Sequence, residues 1–237
     1  MIVGIIAVIG ACKRSDDSKT ATTASSTVSS CSDTASGTIT GVDNQSLSGT
    51  YSMMLAWGES SGVDNSTGCT SNTSLMSGLS ELIAVGAGSF NYYRVVTSST
   101  SFALVYKSYS DTSCSTEMAS LVIGDSDVTI GDNVTGLTTG TQSIGTTGTQ
   151  VTSKQYCMKG KGTTDNGTAW LNTFTNNTYI TGEEQIGSGS GQTFYFLWHA
   201  DNSSTRSNSS LSGYQSYSGN VWRSRASSSA QPTDWTD

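Results

Sequence analysis

The chain has 237 residues, a formal net charge of −7 with only 12% of residues charged, one proline, one histidine and five cysteines. Its 11 basic residues are scattered among 18 acidic ones, which argues against a nucleic-acid partner, because displacing counterions from phosphate requires clustered Lys and Arg. The same balance argues against broad electrostatic adhesion to anionic lipid, so any membrane association must rest on an anchor.

In chain order the first element is an apolar run, Met1 to Ala11, without a charge and far shorter than the ~20 residues a spanning helix requires. It has the proportions of a secretory signal core. The run ends in Ile9-Gly10-Ala11-Cys12, which resembles the lipobox of bacterial lipoproteins. That resemblance implies cleavage before Cys12, a diacylglycerol on its thiol and acylation, with palmitate the expected chain, at the new amino terminus. No Lys or Arg precedes the run, where such signals carry a basic stretch, so a start upstream of Met1 is expected. Lys13 follows the cysteine instead of the Asp that retains some enterobacterial lipoproteins in the inner membrane, which points to the outer membrane of a bacterial envelope. From Lys13 to Thr40 the chain is dominated by Ser, Thr and Ala and has little to bury. The expected organisation is a signal over 1–11, a disordered tether over 12–40 and a single antiparallel β domain over 41–237.

Short runs rich in Val, Ile, Thr, Tyr and Phe, punctuated by 26 glycines, predict strands separated by turns. Gly49 to Trp57 comes first, with Tyr51, Met53, Leu55 and Trp57 on one face by the two-residue period. "LMSGLSELIAV", Leu75 to Val85, is the one stretch where a short helix fits. Phe90 to Thr97 and Phe102 to Tyr109 form a predicted hairpin around "SSTS". "MASLVIGDSDVTIGD" is a strand or bulged hairpin with bends at Gly124 and Gly131, and "TQVTSKQYCM", "TAWLNTFT", "NTYITGEEQIG", "QTFYFLWHA" and "GNVWRSRA" follow as further strands. This pattern predicts an all-β antiparallel fold, a β-barrel or alternatively a β-sandwich.

The succession "LSGTYSMMLAW", a loop with Cys69, a hairpin ending "YKSYSDTSC" and then "LVIGDSDVTIGD" resembles lipocalin-like domains of bacterial secreted proteins. The resemblance runs from Leu47 to Asp132; Tyr109, Asp111 and Cys114 stand for that family's Tyr-x-Asp-x-x-Cys turn, and Tyr51 replaces its Trp. It implies a lipocalin-like β-barrel that holds a small apolar or amphiphilic ligand. Cys31, Cys69, Cys114 and Cys157 are an even set in an exported chain, predicting two disulfides with three possible connectivities. If the first strands run up, down and up, the Cys69 and Cys114 loops share one end of the sheet, which makes that pair the candidate bridge and leaves Cys31 with Cys157.

Among chemical motifs, "GESSG" (Gly58 to Gly62) fits a hydrolase nucleophile elbow around Ser60, yet no helix pattern follows it, and Asp201 is too near His199 to orient that histidine as a base. The acidic "GDSDVTIGDN", with Asp125, Asp127, Asp132 and Asn133, offers oxygen ligands but lacks the spacing of a calcium loop and reads as a solvated turn. Glu183 and Glu184 are adjacent and would face opposite ways in a strand. Phe194, Phe196 and Trp198 share one strand face, which reads as core or as a ligand wall, while Arg94 lies within the strand "FNYYRVV" as a surface charge or an interior anion-binding group. The expected ligand-binding residues are Arg94, Tyr92, Trp57, Phe196 and Trp198, with no catalytic residue, metal or cofactor. Two functions stand: a binding module for a small hydrophobic ligand, or a structural or adhesive surface lipoprotein with a packed core.

Overall fold

The computed structural model describes residues 31–52, 68–137, 147–201, 206–208, 215–217 and 221–234. Cys12, the signal, Trp57 and Ser60 lie outside the described residues. The described elements are β1 (Thr38–Val42), β2 (Gln45–Ser48), β3 (Thr50–Ser52), α1 (Thr73–Gly78), β4 (Ser89–Ser98), β5 (Ser101–Tyr109), β6 (Glu117–Thr135), β7 (Thr147–Gly162), α2 (Asp165–Thr175), β8 (Glu184–Ser188), β9 (Thr193–Asp201), β10 (Arg206–Asn208), β11 (Gln215–Tyr217) and β12 (Val221–Ser227).

The expected all-β antiparallel class holds, and the main sheet is a strongly curled half-barrel in the order β12-β9-β7-β6-β5-β4-β3, with β8 also on β7. Curling brings its two ends together: Tyr51 of β3 meets Trp222 of β12 edge to face at 5.7 Å. Strand β7 can serve two partners because it is 16 residues long; Thr149 to Lys154 pair with β9, and Cys157 to Lys161 pair with β8. "MASLVIGDSDVTIGD" is part of one 19-residue strand, and its register shifts against β7 at Gly124/Asp125, Ser126/Thr129 and Ile130/Asn133. Such bulges raise local twist, which a sheet needs to curl on itself.

Period-two alternation decides what fills the curl. Phe90, Tyr92, Arg94 and Val96 of β4 face inward with Phe102, Leu104 and Tyr106 of β5, Leu121 and Ile123 of β6 and Phe194, Phe196 and Trp198 of β9. The alternate residues Val95, Ala103, Val105 and Val122 are buried on the opposite face with Cys31 and Cys157. Hairpin β1–β2 contributes Ile39, Val42 and Leu47 to the inner core. Its two-residue turn puts Asp43 at φ 47° and Asn44 at φ 61°, left-handed values that Asp and Asn tolerate better than most side chains.

Three expectations are corrected. The segment before residue 41 is not all tether: Cys31 and Ile39 are 2% and 1% exposed, Asp33 ion-pairs with Lys107 at 3.7 Å and Lys159 at 3.5 Å, and the Ser36 N–H donates to the Val96 carbonyl at 2.8 Å. Composition missed this because a few well-placed apolar residues suffice to pin a strap. "TAWLNTFT" is helix, not strand. Its Thr164 hydroxyl caps the start by accepting from the Gly167 N–H at 3.1 Å, and Gly167, Thr168, Trp170, Leu171 and Thr175 form the buried stripe. Gly167 lets the helix sit against the Met118 carbonyl, where a Cβ would collide. Of "NTYITGEEQIG" only the last four residues are strand, the start of β8 (Glu184–Ser188).

Both expected disulfides are present, Cys31–Cys157 and Cys69–Cys114. The first ties the N-terminal strap to β7, and the second joins the segment before α1 to the β5–β6 loop. In that loop Asp111 accepts from the Ser113 hydroxyl first and then from the Ser113, Ser115 and Thr116 N–H groups, which holds its carboxyl well below the usual range.

Candidate functional site

The inward faces of β4, β5, β9 and β12 converge on an aromatic cluster. Phe102 packs edge-on against Phe196 at 5.8 Å, Trp198 at 5.2 Å and Trp222 at 5.3 Å, and Trp198 and Trp222 are themselves 4.5 Å apart. Tyr92 and Tyr106 stack at 4.4 Å, and Phe174 of α2 lies 5.8 Å from Tyr106. Four of the five expected ligand-binding residues, Arg94, Tyr92, Phe196 and Trp198, thus meet in one interior. Sequence reading missed Trp222, Phe102, Tyr106 and Asp125; parity along each strand was the available signal for the last three.

Arg94 is the anomaly of this core. It is 6% exposed, and its guanidinium lies 5.3 Å from the Trp222 ring centre, in cation–π range. One terminal N–H donates to the Trp222 carbonyl at 3.3 Å, and the Tyr92 hydroxyl accepts another. Its Nε–H has no hydrogen-bond partner among the described residues, nor do the indole N–H groups of Trp198 and Trp222. Burial pulls the Arg94 pKa down, opposed by Tyr92, Tyr106 and Asp125. Tyr106 moves the other way, its hydroxyl held well above the ordinary range by burial first and then by Tyr92.

Asp125 also faces inward, 3% exposed, accepting from the Ser153 hydroxyl at 2.9 Å. Desolvation pushes its pKa from 3.8 up to about 7, with Ser153 and Arg94 only partly offsetting the rise. Among the described residues no ion pair within 4 Å joins Arg94 to a carboxylate, so the interior holds one cation and one suppressed anion that do not touch.

No protein-family model matches the chain, and none of the curated proteins matches it. The site must therefore be read from its own chemistry.

His199 is oriented by Asp43, not Asp201: Nδ1 lies 2.6 Å from Asp43 Oδ2, both side chains being nearly buried. Asp43 sits at the hairpin tip, 156 residues away, and sequence gave no hint of it. The Asp43 N–H also donates to the Thr149 hydroxyl at 2.6 Å, while that hydroxyl donates to Asn133 Oδ1 at 2.6 Å. This network pins the hairpin to β6, β7 and β9, and among the described residues no hydroxyl or thiol bonds His199. Asp125, Asp127, Asp132 and Asn133 do not converge, since they run along bulged β6; Asp125 is interior, Asp127 faces Lys154 at 3.8 Å, and Asn133 accepts from Thr149. The segment is neither turn nor calcium loop. Among the described residues no group of three His, Cys, Asp or Glu could hold a metal, and no helix is long and apolar enough to cross a membrane. Glu184 ion-pairs with Lys159 at 4.0 Å on the outer side of the sheet.

Proposed function

We propose that this protein is an exported bacterial lipoprotein, anchored in the outer membrane through lipid on Cys12, whose lipocalin-like β domain binds a small apolar or amphiphilic molecule within the curl of its sheet. The observation that carries the binding reading is the interior of the sheet: a buried cation and two buried indole N–H groups, set among aromatic rings, have unmet donors. Buried polar groups are normally hydrogen-bonded, and a donor left without a partner costs free energy that an occupant would return. Catalysis is not proposed, because the elbow serine lies outside the described residues and His199 serves a hairpin contact.

The competing reading, a packed structural or adhesive domain, draws support from Phe102, whose ring edges are met by three other rings. Native mass spectrometry of the full chain purified from its own cells separates the two. A discrete bound mass is expected; a clean apo mass that does not shift with fatty acids, phospholipids or haem favours the packed domain. Intact mass tests the anchor: the chain should begin at an acylated Cys12, and an unmodified chain starting at Met1 defeats it.

A further inference from the structure

We infer that the ligand of this interior carries a single carboxylate head, received by Arg94 together with the indole N–H groups of Trp198 and Trp222. This rests on the binding reading above and adds to it the charge and shape of the ligand.

A guanidinium cannot shed its proton in the ordinary pH range, so Arg94 brings a positive charge into a place 6% exposed. Buried charges are paired, because desolvating an unpaired ion is costly. Among the described residues its partners, the Trp222 carbonyl, the Trp222 ring and the Tyr92 hydroxyl, are all neutral. Among the described residues Asp125 is the carboxylate whose charge acts on Arg94, but it is bonded to Ser153 and makes no ion pair with Arg94 within 4 Å. Among the described residues Arg94 thus has no bonded counter-ion, a place that a monoanion fills and a dianionic phosphate would overfill.

Hydrogen bonding narrows the choice. The unmet atoms in this cluster are Arg94 Nε, the two Nε1 atoms of Trp198 and Trp222, and the Ser224 hydroxyl opposite Trp198; the first three can only donate, and the hydroxyl can donate as well as accept. They belong to neighbouring groups: the guanidinium is 5.3 Å from the Trp222 ring centre, and the two indoles are 4.5 Å apart. An indole N–H can only donate, whereas an ionised carboxyl accepts at about four lone-pair sites on two oxygens. An alcohol offers one oxygen and no charge to these donors, and an ammonium brings further donors and the wrong charge. The surrounding Phe102, Phe196 and Tyr51 rings leave an apolar setting for the rest of the molecule.

The test uses the full chain carrying Cys12→Ser, so that no lipid is attached, and three probes that differ only in the head: octanoate, 1-octanol and octylamine. Calorimetry and tryptophan fluorescence should show octanoate binding at least tenfold more tightly than 1-octanol, with octylamine weakest. Arg94→Met should erase the preference for the acid. Trp198→Phe and Trp222→Phe keep the ring and remove one donor, so each should weaken octanoate several-fold and leave 1-octanol unchanged. These two variants decide the matter if Arg94→Met does not fold. Equal binding of acid and alcohol, or tighter binding of the amine, overturns the carboxylate head but spares the reading of an apolar ligand. A preference for octanoate that survives the substitutions also overturns it. If none of the three probes binds, both readings fall.

Discussion

Asp125 offers a direct measurement of how dry the interior of the sheet is. Its carboxyl is 3% exposed, and burial pushes its pKa from 3.8 to about 7 against the opposing effects of Ser153 and Arg94. In the unfolded chain the same group ionises near pH 4. Between those values the folded protein holds a proton that the unfolded chain has released, so stability falls as pH rises from about 4 to about 7 and then levels. Roughly three pKa units at ~1.4 kcal/mol each put the full effect on the order of 4 kcal/mol. Asp125→Asn removes the titration but keeps an oxygen to accept from Ser153. Urea unfolding of both proteins at pH 4, 5, 6, 7 and 8 isolates the effect, because all other titrations cancel in the difference. The variant should match the wild type near pH 4 and exceed it progressively toward pH 8. A difference that does not change with pH would show that Asp125 is hydrated in solution and that the interior is open to water.

Three further outcomes follow from contacts elsewhere. Gly167→Ala forces a methyl group into the Met118 carbonyl and should lower stability by about 2 kcal/mol in denaturant titration, with helix α2 displaced. Removing Cys31–Cys157 by the double change to Ser frees a loop with a sequence separation of 126. The loss should be ~4 kcal/mol, since Cys69–Cys114 already shortens the free path, and urea midpoints with both forms oxidised measure it. Asp43 and His199 should show a coupling of about 1 to 2 kcal/mol in a double-mutant cycle with Asp43→Asn and His199→Gln, a value near zero meaning that the hairpin is held by its apolar residues alone.

The strands that the sequence predicts most sharply are those where pattern and packing agree. The expected hairpin of Phe90 to Thr97 and Phe102 to Tyr109 is found as Ser89–Ser98 and Ser101–Tyr109, because β-branched and aromatic residues fill both faces and a polar turn separates them. Helix α2 was illegible for the opposite reason. Its Thr, Trp and Phe residues favour strands locally, and the helix is decided by a cap at Thr164 and by the close approach at Gly167, the latter a tertiary fact. The strap and the start of β1 were hidden by averaging: Ser and Thr dominate residues 13–40, yet Cys31 and Ile39 are each buried. In the site, Arg94 and the β9 aromatics could be suspected from one strand at a time. Their meeting with Trp222 and Asp125 depends on how far the sheet curls, which no local pattern encodes.

The inward positions of β4 and β6 follow the apolar alternation and break it at two places, Arg94 and Asp125. A sheet shaped only for rigidity gains nothing from either, because replacing a buried charge by an apolar side chain of similar volume is often neutral or stabilising. Arg94→Met should therefore unfold at an equal or higher urea concentration than the wild type, by up to ~2 kcal/mol, even though it breaks the contacts to Trp222 and Tyr92. A loss of stability of several kcal/mol would instead make Arg94 a structural tie between β4 and β12, which the half-barrel requires to bring its ends together. Equal or greater stability combined with lost affinity for octanoate would mark Arg94 as a group kept for its ligand at the expense of the fold.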